Sequence, residues 1–384
     1  DAELDEEADL VEFFDRVSIR EFTGDNLPNQ LHVENQINGK SAYIEVDDIT
    51  DETDAPDAGA TQQLQGGSDG DLLDEPTDFT GDPSDDELKD VGLRALIPVD
   101  DINIVAIPDL FKSLSTANAR IATQLAIAFC ENPNRKDCFF VADSPEGLDA
   151  TGVREYKQAR GAFATGAGAA FNSTFAALYY PWVKIFDPLR GKPISFPPSC
   201  SVAGIYSATD VSRGVHKAPA GIVEGRLKTA VGVERDVTKG EQEILNPNGI
   251  NVIRNFPESG LVVWGARTVS ADPEWRYVNV RRLFLFLEES IDEGTQWVVF
   301  EPNDPVLWAR IVRNVSAFLR VQWLEGKLVG LKEEEAFFVK CDEETNPPES
   351  VDLGRVITVI GVAPSKPAEF VIFRIMQKRP GANG

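Results

Sequence analysis

Short apolar runs alternate with stretches of helical spacing between residues 102 and 186. Ile102–Ile107 is β-branched and closed by Pro108, and Cys138–Ala142 is a second apolar run, so both read as buried strands. Ser115–Phe129, between them, is Ala-rich and sets Ile121, Leu125 and Phe129 one helical turn apart. Pro145–Ala164 is expected to be helical, and Trp182–Phe186, followed by Pro188, is expected to be a third strand. This alternation predicts βαβ units and a mostly parallel sheet with right-handed crossovers.

Beyond it, Pro193–Pro219 is rich in Pro, Gly and Ser and reads as loop. Leu261–Trp264 reads as a strand and Tyr277–Ile291 as a helix. Asp304–Leu324 is a helix with Pro305 in its first turn. At about 100° per residue, Arg310, Arg313 and Arg320 share one face of it, and Ile311, Val315, Phe318 and Leu319 the other. The apolar side must bury, which leaves a basic stripe free. Phe337–Lys340, Arg355–Val362 and Glu369–Met376 read as strands. Near the start, Val11–Val17 and Ala42–Val46 have strand character. Asp47–Glu87 is too polar to offset its ordering entropy, so a long, mobile, outward-facing loop is expected there.

Charge sharpens the division. The chain has 384 residues and a net charge of −26. Residues 1–100 hold 29 acidic and 5 basic side chains, so the excess sits at the front. Such a block repels phosphate and argues against nucleic-acid binding. No apolar run reaches the roughly 18 residues of a membrane helix. The four cysteines, Cys130, Cys138, Cys200 and Cys341, form no CxxC pair and read as reduced thiols in a cytosolic protein. His32 and His216 are the only histidines, which leaves no zinc pattern and no metal site.

Catalytic and cofactor motifs fail on inspection. Gly161 and Gly166 have phosphate-loop spacing, but Ala167-Gly168 stands where Lys-Ser/Thr is required. Phe171 occupies the third glycine position of a dinucleotide fingerprint. Gly66-Gly67-Ser68-Asp69-Gly70-Asp71 lacks the spacing of a calcium loop. Asp143-Ser144-Pro145 is no nucleophile elbow, and His216 is the only base available to it. An enzyme of this class would keep one option, a carboxylate site at Asp143 or Asp187, each after an expected parallel strand. Tyr179-Tyr180-Pro181-Trp182 has few basic neighbours and reads as packed core or interface.

From Tyr179-Tyr180-Pro181-Trp182 onward the chain resembles the contractile tail sheath family of bacteriophages and related injection systems. The resemblance runs through Val202–Tyr206, Asp210–Val215, Lys217–Ala220, Leu245–Asn251, Val263–Thr268 and Asn279–Arg282. It continues through Phe300–Asp304, Val339–Asp342 and Pro367–Phe370, and upstream takes in Gly66–Gly70 and Gly92–Leu96. His216 stands where the family commonly has Trp. The family's Pro-Gly-Val-Tyr-Val-Glu-type N-terminal strand is not seen, so residues 1–46 look like the tail of a longer domain and the chain like a fragment.

The resemblance implies a mixed α/β and α+β fold. Its parts would be the remnant of a β-rich domain (1–50), an acidic linker (51–90), a subtilisin-like α/β domain without protease activity (91–266) and a smaller α+β C-terminal domain (267–384). It implies a non-enzymatic subunit without cofactors that stacks in hexameric rings around a tube and shortens to drive the tube through an envelope. Partners would be other copies, the tail tube protein, and the baseplate and terminator proteins, with no nucleic acid and no membrane insertion. The setting would be a virion tail or injection-system sheath assembled in the bacterial host cytoplasm. Arg310, Arg313 and Arg320 would meet acidic groups of the tube. Phe370, Val371, Ile372, Phe373, Arg374 and Ile375 would form a strand added to a neighbouring copy; on residues alone an ordinary intrachain strand fits equally. Lacking the N-terminal strand, the chain alone is expected to stay mainly monomeric. A static virion scaffold is the remaining structural alternative.

Overall fold

The computed structural model describes residues 36–38, 40, 73–82, 84, 90–132, 137–164 and 168–369. The chain divides into two compact units, 1–70 and 71–384. In the first, a single helical turn buries Ile37, and the Lys40 amide donates to the Ile37 carbonyl at 3.0 Å. The expected strands at Val11–Val17 and Ala42–Val46, the cation-like Gly66–Asp71 run and Phe370–Ile375 lie outside the described residues.

In the second unit the strands are β1 (Ile104–Val105), β2 (Phe139–Asp143), β3 (Ala176–Tyr180), β4 (Val183–Asp187), β5 (Lys192–Phe196), β6 (Ala230–Val233), β7 (Ile250–Phe256), β8 (Gly260–Val263), β9 (Phe337–Lys340) and β10 (Val359–Val362). The helices that cover them are α1 (Pro76–Thr80), α2 (Thr116–Cys130), α3 (Ala150–Gln158), α4 (Ser199–Arg213), α5 (Lys239–Leu245), α6 (Val278–Thr295) and α7 (Pro305–Leu324).

The main sheet has the order β1-β2-β3-β7-β8, parallel except for the β7–β8 hairpin. Both faces are covered, and successive residues alternate between two cores. Phe140, Ala142, Leu178 and Tyr180 face α2 and α3, while Phe139, Val141, Ala177 and Tyr179 face α4. The turn into β7 needs a glycine. Gly249 has φ +68°, and a Cβ there would lie 2.6 Å from the Thr268 carbonyl oxygen.

The third parallel strand is Ala176–Tyr180, not Trp182–Phe186. The latter run supplies β4, the centre of a separate antiparallel sheet β5-β4-β6. Pro193–Pro219 is not mostly loop. It contains β5 and the fifteen-residue helix α4, which Pro198 opens and Gly214 closes. Within the expected 47–87 loop, α1 is a helix with a Glu75–Asp78 capping box, and its Thr80 is buried. The Asn118 side-chain amide on α2 donates to the Asp74 carbonyl at 3.2 Å. Only Ala150–Gln158 of the Pro145–Ala164 segment is α-helical, capped by Asp149.

A C-terminal lobe forms around a third core. Leu307, Trp308, Ile311, Val315 and Leu319 of α7 pack with Leu283 and Leu287 of α6 and Phe337 of β9. The α6 helix also gives Val278 and Leu285 to the core under the main sheet. One helix therefore roots both lobes. The α7 helix begins as its sequence requires, with the Asp304 side chain accepting from the Leu307 amide at 2.9 Å.

Candidate functional site

Two half-buried ion pairs join the lobes. Arg282 of α6 presents both terminal nitrogens to Asp210 of α4, Nη1 to Oδ1 at 2.9 Å and Nη2 to Oδ2 at 2.6 Å. Its guanidinium also lies 4.8 Å from the Tyr206 ring centre. Neighbouring Arg281 stacks on Phe175 and Trp275 at 3.8 and 5.0 Å, and its burial depresses its basicity. The second pair ties residue 267, just after β8, to Glu369. Arg267 Nε donates to Glu369 Oε1 at 2.8 Å, and its Nη2 donates to Oε2. The Asn246 amide and the Tyr277 hydroxyl each add a bond to that carboxylate at 3.3 Å. Burial alone raises the Glu369 pKa. Arg267 and these donors outweigh it and hold the carboxyl below the usual range.

The outer face of α7 carries Arg310, Arg313 and Arg320 as its periodicity demands, all exposed. It is not a free basic stripe. Arg310 pairs with Glu301 at 3.2 Å and lies over Trp297 at 4.5 Å. Arg320 makes a fork with Glu333 at 2.8 and 3.0 Å. Among the described residues Arg313 makes no ion pair, whereas Arg310 and Arg320 are paired within the fold. Beside α7, β9 and β10 form a two-stranded antiparallel sheet on which Phe338 and Val359 are exposed. Each strand keeps one edge without a ladder partner among the described residues.

The carboxylates considered for chemistry have structural roles. Asp143 ends β2 and is 5% exposed, and it accepts from the Ser199 amide at 2.8 Å at the start of α4. Burial pushes its pKa up to about 7, with the Ser199 bonds opposing. Asp187 ends an antiparallel strand, not a parallel one, and accepts from the Leu189 and Arg190 amides of its own turn. Ser144 is wholly buried, and its carbonyl accepts from the Trp182 indole at 2.7 Å. Burial, helped by Lys327, Arg213 and Lys217, lowers the His216 pKa. Tyr179, Tyr180 and Trp182 are buried. Cys130, Cys138 and Cys341 are buried free thiols and Cys200 an exposed one. Among the described residues no group of three or more His, Cys, Asp or Glu could hold a metal, and no helix is long and apolar enough to cross a membrane.

Residues 91–269 match the family model for the phage tail sheath protein central domain, and residues 270–378 match the phage tail sheath C-terminal domain. The chain belongs to the phage tail sheath family. The junction of the two models falls between β8 and α6, beside Arg267. A tail sheath protein of Vibrio phage KVP40 is 26% identical over 202 residues, 52% of this chain and 29% of that protein. Among solved sheath structures, the PVC sheath complex of an extracellular contractile injection system, in its contracted state, is 36% identical. The match has a TM-score of 0.61 and covers 73% of each chain. The helical sheath of the anti-feeding prophage, also contracted, is 34% identical at a TM-score of 0.59 over 73% and 71%. The chain spans between 29% and 56% of the length of the curated sheath relatives it matches. Those relatives are structural tail sheath proteins, not enzymes.

Proposed function

We propose that this chain is the contracting subunit of a phage tail or injection-system sheath, stacked as hexameric rings around a tube that it drives through an envelope. The match to a contracted sheath over 73% of both chains carries this reading. The mostly parallel sheet, covered on both faces, supports a subtilisin-like central domain that has lost protease chemistry. The work of contraction is stored at assembly, when subunits enter an extended lattice of higher energy than the contracted one.

Links between subunits must persist while subunits move. Main-chain strand pairing meets that need, and the unpaired edges of β9 and β10 support it. The donor strand is Phe370–Ile375, which follows the Glu369 anchor directly. On the tube side, Arg313 meets an acidic group, with Arg310 and Arg320 beside it. Such exposed contacts are each worth about 0.2–1 kcal/mol, so a repeating lattice can hold a tube and still release it. Other partners would be the baseplate and the tail terminator, in a sheath assembled in the bacterial host cytoplasm. The test is electron microscopy of concentrated full-length protein. Hollow cylinders in a long narrow and a short wide form are expected. A small monodisperse species with no cylinders overturns the proposal.

A further inference from the structure

One aromatic side chain is placed where neither backbone nor burial favours it. Phe300 has φ +72° and is fully exposed, at 102% of its reference area. A bulky residue in the left-handed region is strained and persists only where its surroundings impose it. The surroundings here do so. The Glu301 amide donates to the Val298 carbonyl at 3.1 Å, and Glu301 is fixed by Arg310. Asn303 accepts from the Trp308 indole at 2.8 Å and donates to the Arg355 carbonyl at 3.0 Å. Val299 and Val306, on either side, are exposed at 64% and 68%. The result is a braced apolar knob, the form of a preorganised binding anchor.

A receptor of matching chemistry lies at the opposite end of α6. Near Tyr277 and Asn279 is a cavity of about 790 Å³ with Ala218, Pro247, Trp264 and Pro367 in its lining. Lys217, Lys239, Arg254 and Lys366 also line it against Glu243 and Glu369, a net positive rim, whereas Glu301 and Asp304 follow the knob directly in sequence. Apolar surface and charge therefore complement each other. The eighteen-residue α6 helix separates the two by about 27 Å at 1.5 Å per residue. Phe300 cannot reach the cavity of its own chain.

We propose that Phe300, with Val299, docks into this cavity on a second copy of the chain. Knob and receptor are different surfaces, so the contact is heterologous and propagates instead of closing into a two-fold dimer. The helical sheath among the solved relatives is an assembly of that symmetry class. The inference rests on family membership and on neither the tube contact nor contraction.

Cysteine cross-linking tests it in a Cys200→Ser background, since the other three thiols are buried. Phe300→Cys and Ala368→Cys proteins, distinguished by a mass tag, are mixed at high concentration and mildly oxidised. A covalent heterodimer is expected, well above that formed with Val211→Cys, a control at a 90% exposed position on α4. The double variant should give a ladder. Cross-linking no better than the control, homodimers of the Phe300→Cys protein alone, or capture of added tube protein instead overturns the proposal. Phe300→Gly is the second variant, because glycine accepts φ +72°. It should melt no lower than wild type while self-association by sedimentation falls at least about tenfold. Wild-type association, or a melting point several degrees lower, overturns the proposal as well. The cross-link is read whether or not cylinders form, so its failure is separate from failure of the sheath reading.

Discussion

Arg267 and Glu369, 102 positions apart, form a fork-shaped ion pair in which the carboxylate takes further bonds from Asn246 and Tyr277. Arg267 follows the main sheet, so the pair ties Glu369 back to the central fold. Removing one partner leaves the other charge poorly solvated. Arg267→Ala is expected to cost about 3 kcal/mol in denaturant unfolding. The Arg267→Ala/Glu369→Ala double variant should cost clearly less than the sum of the singles.

The same pair sets an acid limit. The Glu369 carboxyl is held below its ordinary value in the fold. Its stabilisation is therefore complete above the unfolded value of about 4.3 and is lost as pH falls through the depressed folded value. Thermal melting of wild type should drop across that window. Glu369→Gln should start lower at pH 7 and lose less on acidification.

Asp143 acts with the opposite sign. Its folded pKa of about 7 exceeds the unfolded value, so the folded state holds the extra proton between about pH 4 and 7. Its contribution to stability is full below that window and is lost as pH rises through 7. Asp143→Asn keeps an acceptor for the Ser199 amide and carries no charge. It is expected to melt above wild type at pH 8, with the difference shrinking toward pH 4.

On α7, charge reversal at single positions should separate two roles. Arg313→Glu is expected to reduce sheath coating of tubes at low salt with the melting point unchanged. Arg310→Glu and Arg320→Glu break intrachain pairs with Glu301 and Glu333 and should lower the melting point slightly. The triple variant should fold yet fail to coat tubes. Normal coating density by the triple variant would reduce the stripe to solvated surface.

The elements most legible in the sequence were those with a sharp period and a cap. Asp304 followed by Pro305 and an apolar stripe located α7 to within a residue, and Phe337–Lys340 matched β9. Buried parallel strands show no alternation, so β3 carries no period in the sequence. Ala176-Ala177 has little strand propensity, whereas the Trp182–Phe186 run nearby has more. The α4 helix is written in Ser, Thr and Gly, which hides a buried face of Val202, Ile205, Tyr206 and Thr209. The candidate surfaces were half visible. Periodicity put three arginines on one face but could not foresee Glu301 and Glu333, which lie nine and thirteen positions from their partners. Glu369 gave no local sign of Arg267.

Because α6 sends Val278 and Leu285 into one core and Leu283 and Leu287 into the other, the lobes cannot swivel against each other unless α6 leaves one of the two cores. If the chain contracts as proposed, a sheath of such parts would change length as a stack of stiff vertebrae does, by slippage at its joints while every piece keeps its shape.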